Sequence, residues 1–172
     1  MIPLFKLPSA FDENEWYVLF SCVILIVCFI FIPKIMPRNM ILSILLYFSV
    51  LGLTVDLLFG VEYPKDFYTI MDAPNLELFD ILIYCMHYSI YGYFFSYVIC
   101  RWGKRPVPLM LWTFFWIGLT TLLEWTAVRF HVFTYHHGWN LGLSALTYFF
   151  VFPSAIFVAR LLSRIWSRET RS

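Results

Sequence analysis

Four ionisable side chains stand inside long apolar runs, where an ion costs several kcal/mol. They are Asp56, Asp80, His87 and Glu124. Asp80, Tyr84, His87 and Tyr91 follow at i, i+4, i+7 and i+11, a spacing that puts side chains on one helical face. Glu124, Val128, His131 and Tyr135 share a face in the same way, provided the helix carrying Glu124 runs on past Val128. Ser49 and Gly52 precede Asp56 on its own face, and small residues there let a neighbouring helix approach closely. Thr120 and Thr121, one turn before Glu124, are placed to satisfy part of its carboxylate.

Two loops bring further polar groups to the same region. One reads Glu62-Tyr63-Pro64-Lys65-Asp66-Phe67-Tyr68 and is acidic and aromatic. The other, from Arg129 to Asn140, carries His131, His136 and His137. Three kinds of chemistry fit. In a structural role, Arg129, helped by a histidine, neutralises Asp56, Asp80 or Glu124, because buried charges are paired whatever the function. In proton or ion handling, Asp56, His87 and Glu124 act in series, although no acid in the opposite half extends the path. In a metal-dependent enzyme, histidine and carboxylate hold a zinc-like ion on the outer face. That third reading lacks any H-x-x-x-H, H-E-x-x-H or H-x-x-E-H spacing, and His136 and His137 are merely adjacent.

No G-x-S-x-G marks Ser49, Ser89 or Ser96 as a nucleophile, and no intramembrane lysine is available for a Schiff base. Cys22, Cys28, Cys85 and Cys100 lie within apolar runs without C-x-x-C spacing, which reads as buried packing. No catalytic residue, metal ligand or cofactor is therefore assigned. The polar cluster of expected function comprises Asp56, Asp80, Tyr84, His87, Tyr91, Glu124, Arg129, His131 and Tyr135.

The elements that must position these residues follow from composition. The chain has 172 residues, 61% hydrophobic, 22% aromatic and 13% charged, with a mean hydropathy of +0.75. A soluble domain carries roughly a quarter charged residues and needs polar groups to cover the third of its surface that folding leaves wet. This sequence cannot supply them, which excludes a water-soluble fold, a disordered chain and a nucleic-acid binder. Five stretches approach bilayer length at about 1.5 Å per residue: 16–32, 40–61, 78–100, 107–128 and 141–162. The predicted fold is an all-α integral membrane protein, a single domain over residues 1–172 built as a bundle of five transmembrane helices. Its partners are the lipid bilayer and other membrane proteins.

Orientation follows from the basic residues. Lys34, Arg38, Arg101, Lys104, Arg105, Arg160, Arg164, Arg168 and Arg171 fall on one side, against Lys6, Lys65 and Arg129 on the other. This places the N-terminus outside and the C-terminus in the cytoplasm. Asp12, Glu13 and Glu15 stand where a signal peptide would be basic, so the first span is not a cleavable leader. With that orientation Asp56 lies about 8 Å and Glu124 about 6 Å below the outer boundary. Asp80 is about 3 Å and His87 about 14 Å below it. Asn75 and Asn140 read as caps, Pro106 and Pro108 as a first helical turn, and Pro153 as a mid-span break. Trp16, Tyr17, Tyr63, Tyr68, Trp102, Trp139 and Trp166 read as interfacial anchors.

Asp56 and Glu124 also head a faint echo: each follows its helix start by a similar step and precedes an aromatic loop. The pieces Asp56-Leu57-Leu58-Phe59-Gly60 with Phe67-Tyr68, Glu124-Trp125, and Phe133-Thr134-Tyr135 with Gly138-Trp139 and Ser144 carry a resemblance. Across spans two to five the chain resembles small uncharacterised multi-spanning proteins of spore-forming Bacillota. That likeness implies a bacterial cytoplasmic-membrane protein and carries over no activity; His136-His137 depart from it. The function expected is that of a non-enzymatic accessory or structural component of a membrane assembly. The alternatives are a small transporter using Asp56, His87 and Glu124, and the metal-dependent enzyme. Arg168→Cys is expected to resist an impermeant thiol reagent added from outside, and labelling there would reverse the orientation.

Overall fold

The first helix starts earlier than hydropathy places it, because Asp12 and Glu15 form a reciprocal capping box. Helix α1 therefore runs Glu13–Phe31, and Glu15 lies inside it, fully buried, with its Oε2 taking the Asp12 N–H at 2.9 Å. Helix α2 spans Arg38–Phe59, and Gly60 closes it through a 2.7 Å N–H bond to the Asp56 carbonyl. A computed structural model describes residues 11–60, 66–71, 78–102 and 105–169. Lys6, the Glu62–Lys65 stretch, Asn75, Lys104 and Arg171, named above for charge, loop character or capping, lie outside the described residues.

The third predicted span is helical but not uniform. It consists of α3, Leu78–Leu82, then a π-helical segment, Ile83–Tyr88, then α4, Ser89–Trp102. Helix α5 covers Pro106–Arg129, with prolines in its first turn where their missing N–H costs nothing. Helix α6 covers Leu141–Glu169; Asn140 Oδ1 caps it by accepting the N–H groups of Gly142 and Leu143 at 3.0 and 3.2 Å. Pro153 sits inside α6. Among the described residues, four helices are long and apolar enough to cross a membrane: α1, α2, α5 and α6. Among the described residues the exception to helix is a pair of short strands, β1 at Tyr68–Ile70 and β2 at Phe133–Tyr135. They pair antiparallel, Tyr68 opposite Tyr135 and Ile70 opposite Phe133, so the loop after α2 is stitched to the loop after α5.

Packing is inverted relative to a soluble bundle. Phe20 and Ile30 on α1, Leu46 on α2, Leu111 on α5 and Phe150 on α6 all point outward. The core is aromatic at one end, where Phe48, Tyr93, Phe95, Trp116 and Phe152 meet. A smaller cluster of Val18, Met71, Phe79, Ile83, Ala127 and Val132 lies under the strands. Neighbouring helices are joined by hydroxyl pairs: Tyr47 with Ser154 at 2.8 Å, Tyr91 with Thr120 at 2.8 Å, and Tyr17 with Thr126 at 2.7 Å.

Glycines set how closely α2 meets the third helical run. A Cβ at Gly52 would stand 1.9 Å from Tyr88 Cδ2, and one at Gly92 would stand 2.0 Å from Phe48 Cγ. These are collisions with ring carbons hemmed in by their own neighbours. Gly92→Ala is expected to lower stability by about 1–3 kcal/mol, the range for overpacking a filled core. Gly118, with nothing within 4 Å of its would-be Cβ, is the control. Gly118→Ala should be neutral or gain ~0.5–1 kcal/mol from helix entropy. Thermal unfolding in detergent micelles measures both, and equal loss in the two variants would refute the close-approach account.

Candidate functional site

Two carboxylates face one cavity, and among the described residues neither is held by a cation. Asp56 projects from α2 and Glu124 from α5, and both line a cavity of about 130 Å³ between α2, α4, α5, α6 and the strand pair. The described residues of its wall include no lysine, arginine or histidine. Asp56 Oδ1 accepts the Tyr68 hydroxyl at 2.5 Å and Oδ2 the Tyr88 hydroxyl at 3.3 Å, with Tyr84 as a further donor. Glu124 Oε1 accepts Tyr135 at 2.7 Å and Ser144 at 2.6 Å, and Oε2 accepts Tyr148 at 2.6 Å. Trp139 Nε1 donates to Ser144 Oγ at 2.9 Å, extending the chain of donors by one member.

The strand pair explains how both acids find tyrosines. Residues directly opposite in an antiparallel pair present side chains to one face. Tyr68 and Tyr135 are such a pair, and each reaches a different acid. The pairs lie at similar sequence separations, Asp56 to Tyr68 by 12 residues and Glu124 to Tyr135 by 11. Burial, then the Asp56 charge, raises the Tyr68 phenol well above its ordinary range, and the Glu124 charge adds to the rise. Burial and its bond to Glu124 raise Tyr135 likewise. Both phenols therefore remain proton donors.

Several expectations change. Arg129 does not pair with any of the three acids: its guanidinium lies over the Trp125 ring, 5.2 Å from the centroid. It stands in the last turn of α5, and the indole one turn back captures it. The stripe Asp80, Tyr84, His87, Tyr91 does not hold as one face. The π segment turns the register after Ile83, since π and α turns differ in residues per turn. Tyr84 and Tyr88 reach Asp56, whereas His87 Nε2 lies 2.7 Å from Ser21 Oγ on α1 and Tyr91 bonds Thr120 on α5. Asp80 is buried at the start of α3 and does not line the cavity.

Helix α5 stops at Arg129, so His131 is not on the Glu124 face. It takes a left-handed backbone, φ 55°, and its Nδ1 meets Glu13 at 2.8 Å. Tyr135 still reaches Glu124, but from a strand. Thr120 and Thr121 bond carbonyls one turn back, at Trp116 and Ile117, leaving Glu124 to other donors. Tyr68 and Trp139 are not interfacial anchors. Tyr68 is buried, and Trp139 packs at a tilt among Phe59, Phe67 and Tyr68, with ring centroids 5.1–5.7 Å apart.

The histidines of the second loop diverge. His136 meets Thr69 at 3.1 Å, His137 meets Asp66 at 3.2 Å, and His131 turns to α1. Among the described residues no three His, Cys, Asp or Glu side chains gather as a metal ion needs. Sequence reasoning passed over Tyr88 and Tyr148 as site residues, and placed Ser144 only in a resemblance. A signal was present for two of them: Ser144 and Tyr148 stand at i and i+4, one helical face. The chain matches no known protein-family model, no curated protein and no solved structure.

Hydrogen bonds to charged groups contribute about 1.5–3 kcal/mol, against ~0.6 kcal/mol for a neutral interhelical pair in a bilayer. Tyr135→Phe and Tyr148→Phe should therefore each destabilise the protein more than Tyr47→Phe, which breaks only the bond to Ser154. Unfolding of the three variants in mixed micelles, at a pH where carboxylates are ionised, measures the ranking. Equal losses would mean that the hydroxyls on Glu124 contribute no more than a neutral interhelical pair.

Proposed function

We propose that the chain spans a bacterial cytoplasmic membrane five times and that its outer half is a binding chamber for a small solute. Five spans are supported by the unbroken helical run from α3 through the π segment to α4, which covers Leu78 to Trp102. The orientation, N-terminus outside and C-terminus cytoplasmic, rests on Arg38, Arg101, Arg105, Arg160 and Arg164 lying at the ends away from the strand pair. The chamber lies at the strand-bearing end, beside the outer surface. Capture of a solute there, for transfer or sensing, needs no catalytic group.

The observation that carries this reading is the cavity itself. Helix-orienting acids are satisfied by packing against a partner charge, whereas Asp56 and Glu124 border open space lined mainly by aromatic rings. Taking a carboxylate such as Asp56 out of water without a basic partner is costly, and an occupied chamber offsets that cost. A second reading, an accessory protein whose acids only orient helices, is favoured by one fact. Glu124 already accepts three protein hydroxyls.

Thermal shift of the protein in nanodiscs, against a panel of small amines, alcohols, acids and sugars, separates the two. Solutes that fit should raise the melting temperature of the native chain and have no effect on Thr147→Phe, which fills the chamber. A panel without a single shift in the native chain would leave the acids as helix-orienting groups.

A further inference from the structure

The chamber's chemistry narrows what it can hold, and this step rests on the binding reading above. We propose that the occupant is a small quaternary ammonium ion, a compact cation with no N–H to donate. The cavity of about 130 Å³ is close to the ~150 Å³ apolar cavity that accommodates benzene. It thus takes roughly six or seven non-hydrogen atoms. Two carboxylates and no basic side chain among its described lining exclude an anion by repulsion and give a neutral solute no use for the field. The rings of Tyr68, Tyr88, Phe133, Trp139 and Tyr148 line the wall beside the two acids. Aromatic rings attract a cation through their quadrupole, and cages of this kind are the standard receptor for methylated ammonium groups.

The hydrogen-bond pattern decides which cation. Both oxygens of Glu124 and both of Asp56 already accept protein hydroxyls. A metal ion requires oxygen lone pairs directed at it, and a primary ammonium carries three donors that need acceptors. Here every carboxylate oxygen already has a protein donor, so charge is on offer while open coordination positions are few. A quaternary ammonium requires only charge and π faces. Its charge is spread over methyl groups, and it gains from both acids without displacing a tyrosine.

Titration of the protein in nanodiscs with choline and with tetramethylammonium, read by Trp fluorescence and melting temperature, tests this. The neutral isostere of choline, 3,3-dimethyl-1-butanol, and potassium ion serve as comparisons. Choline should bind at least tenfold more tightly than the isostere, and potassium should give no saturable shift. Glu124→Gln and Trp139→Leu should each weaken choline at least tenfold. Should either variant misfold, saturation transfer from aromatic protons to the choline methyls in the native chain decides the matter. Equal affinity for the isostere, or preference for potassium or a primary amine, would overturn the quaternary class and leave the chamber standing. No binding by choline, the isostere or any panel solute would remove the chamber reading as well.

Discussion

One buried carboxylate, Asp56, and one half-buried one, Glu124, with no basic side chain beside them among the described residues, constrain everything around them. A buried charge must be met by a counter-charge or by a full shell of donors. For Asp56 and Glu124 the shell consists of tyrosine and serine hydroxyls. Those donors come from the strand pair, the π segment and α6. Tyr68 and Tyr135 come from the strand pair, Tyr84 and Tyr88 from the π segment, and Ser144 and Tyr148 from α6. A hydroxyl works only within about 3 Å of its acceptor, so each donor fixes its element in rotation and in height. The loops after α2 and α5 are bound into the same arrangement, because the opposed tyrosines reach the two acids only when the strands are in register.

The π segment is the local consequence of that demand. A regular α-helix from Leu78 would send Tyr84, His87 and Tyr91 in one direction. The segment instead lets Tyr84 and Tyr88 reach α2 while His87 turns to α1 and Tyr91 to α5. Gly52 complements it, since the ring of Tyr88 occupies the space a Cβ would need. Small residue and wide turn together bring the third helical run against α2. The hydrogen-bonded serine Ser89, whose hydroxyl donates to the Cys85 carbonyl, marks where the α register resumes.

The loop residues divide by role in a way their types do not announce. His131, His136 and His137 each hold a different piece of chain: the start of α1, β1, and the residue before Phe67. Trp139 lies on the other side of the same loop, among rings, with its N–H on Ser144. A left-handed turn at His137 and Gly138, φ 48° and 83°, separates the histidines from the indole. The loop is thus an ordered cover, with polar pins outside and an aromatic wall inside.

Sequence by itself determined the apolar helices, their boundaries to within a few residues except at the far end of α6, which runs on from 162 to Glu169, the Asn140 cap, and Asp56 and Glu124 as residues out of place in an apolar run. These are local properties: hydropathy over a span, one turn of backbone geometry, one charge against its neighbours. It also ranked Tyr135 among the functional candidates, though on a helical face that does not exist. What satisfies the acids was decided only by the tertiary structure. Arg129 was the counter-charge expected from the sequence, yet its guanidinium lies over the Trp125 ring. Tyr68 read as an interfacial ring until β1 paired with β2 and turned it onto Asp56. Donors contributed from four separate stretches of chain carry no common period. Their convergence depends on helix rotation and strand register, which are set by packing among all the elements at once.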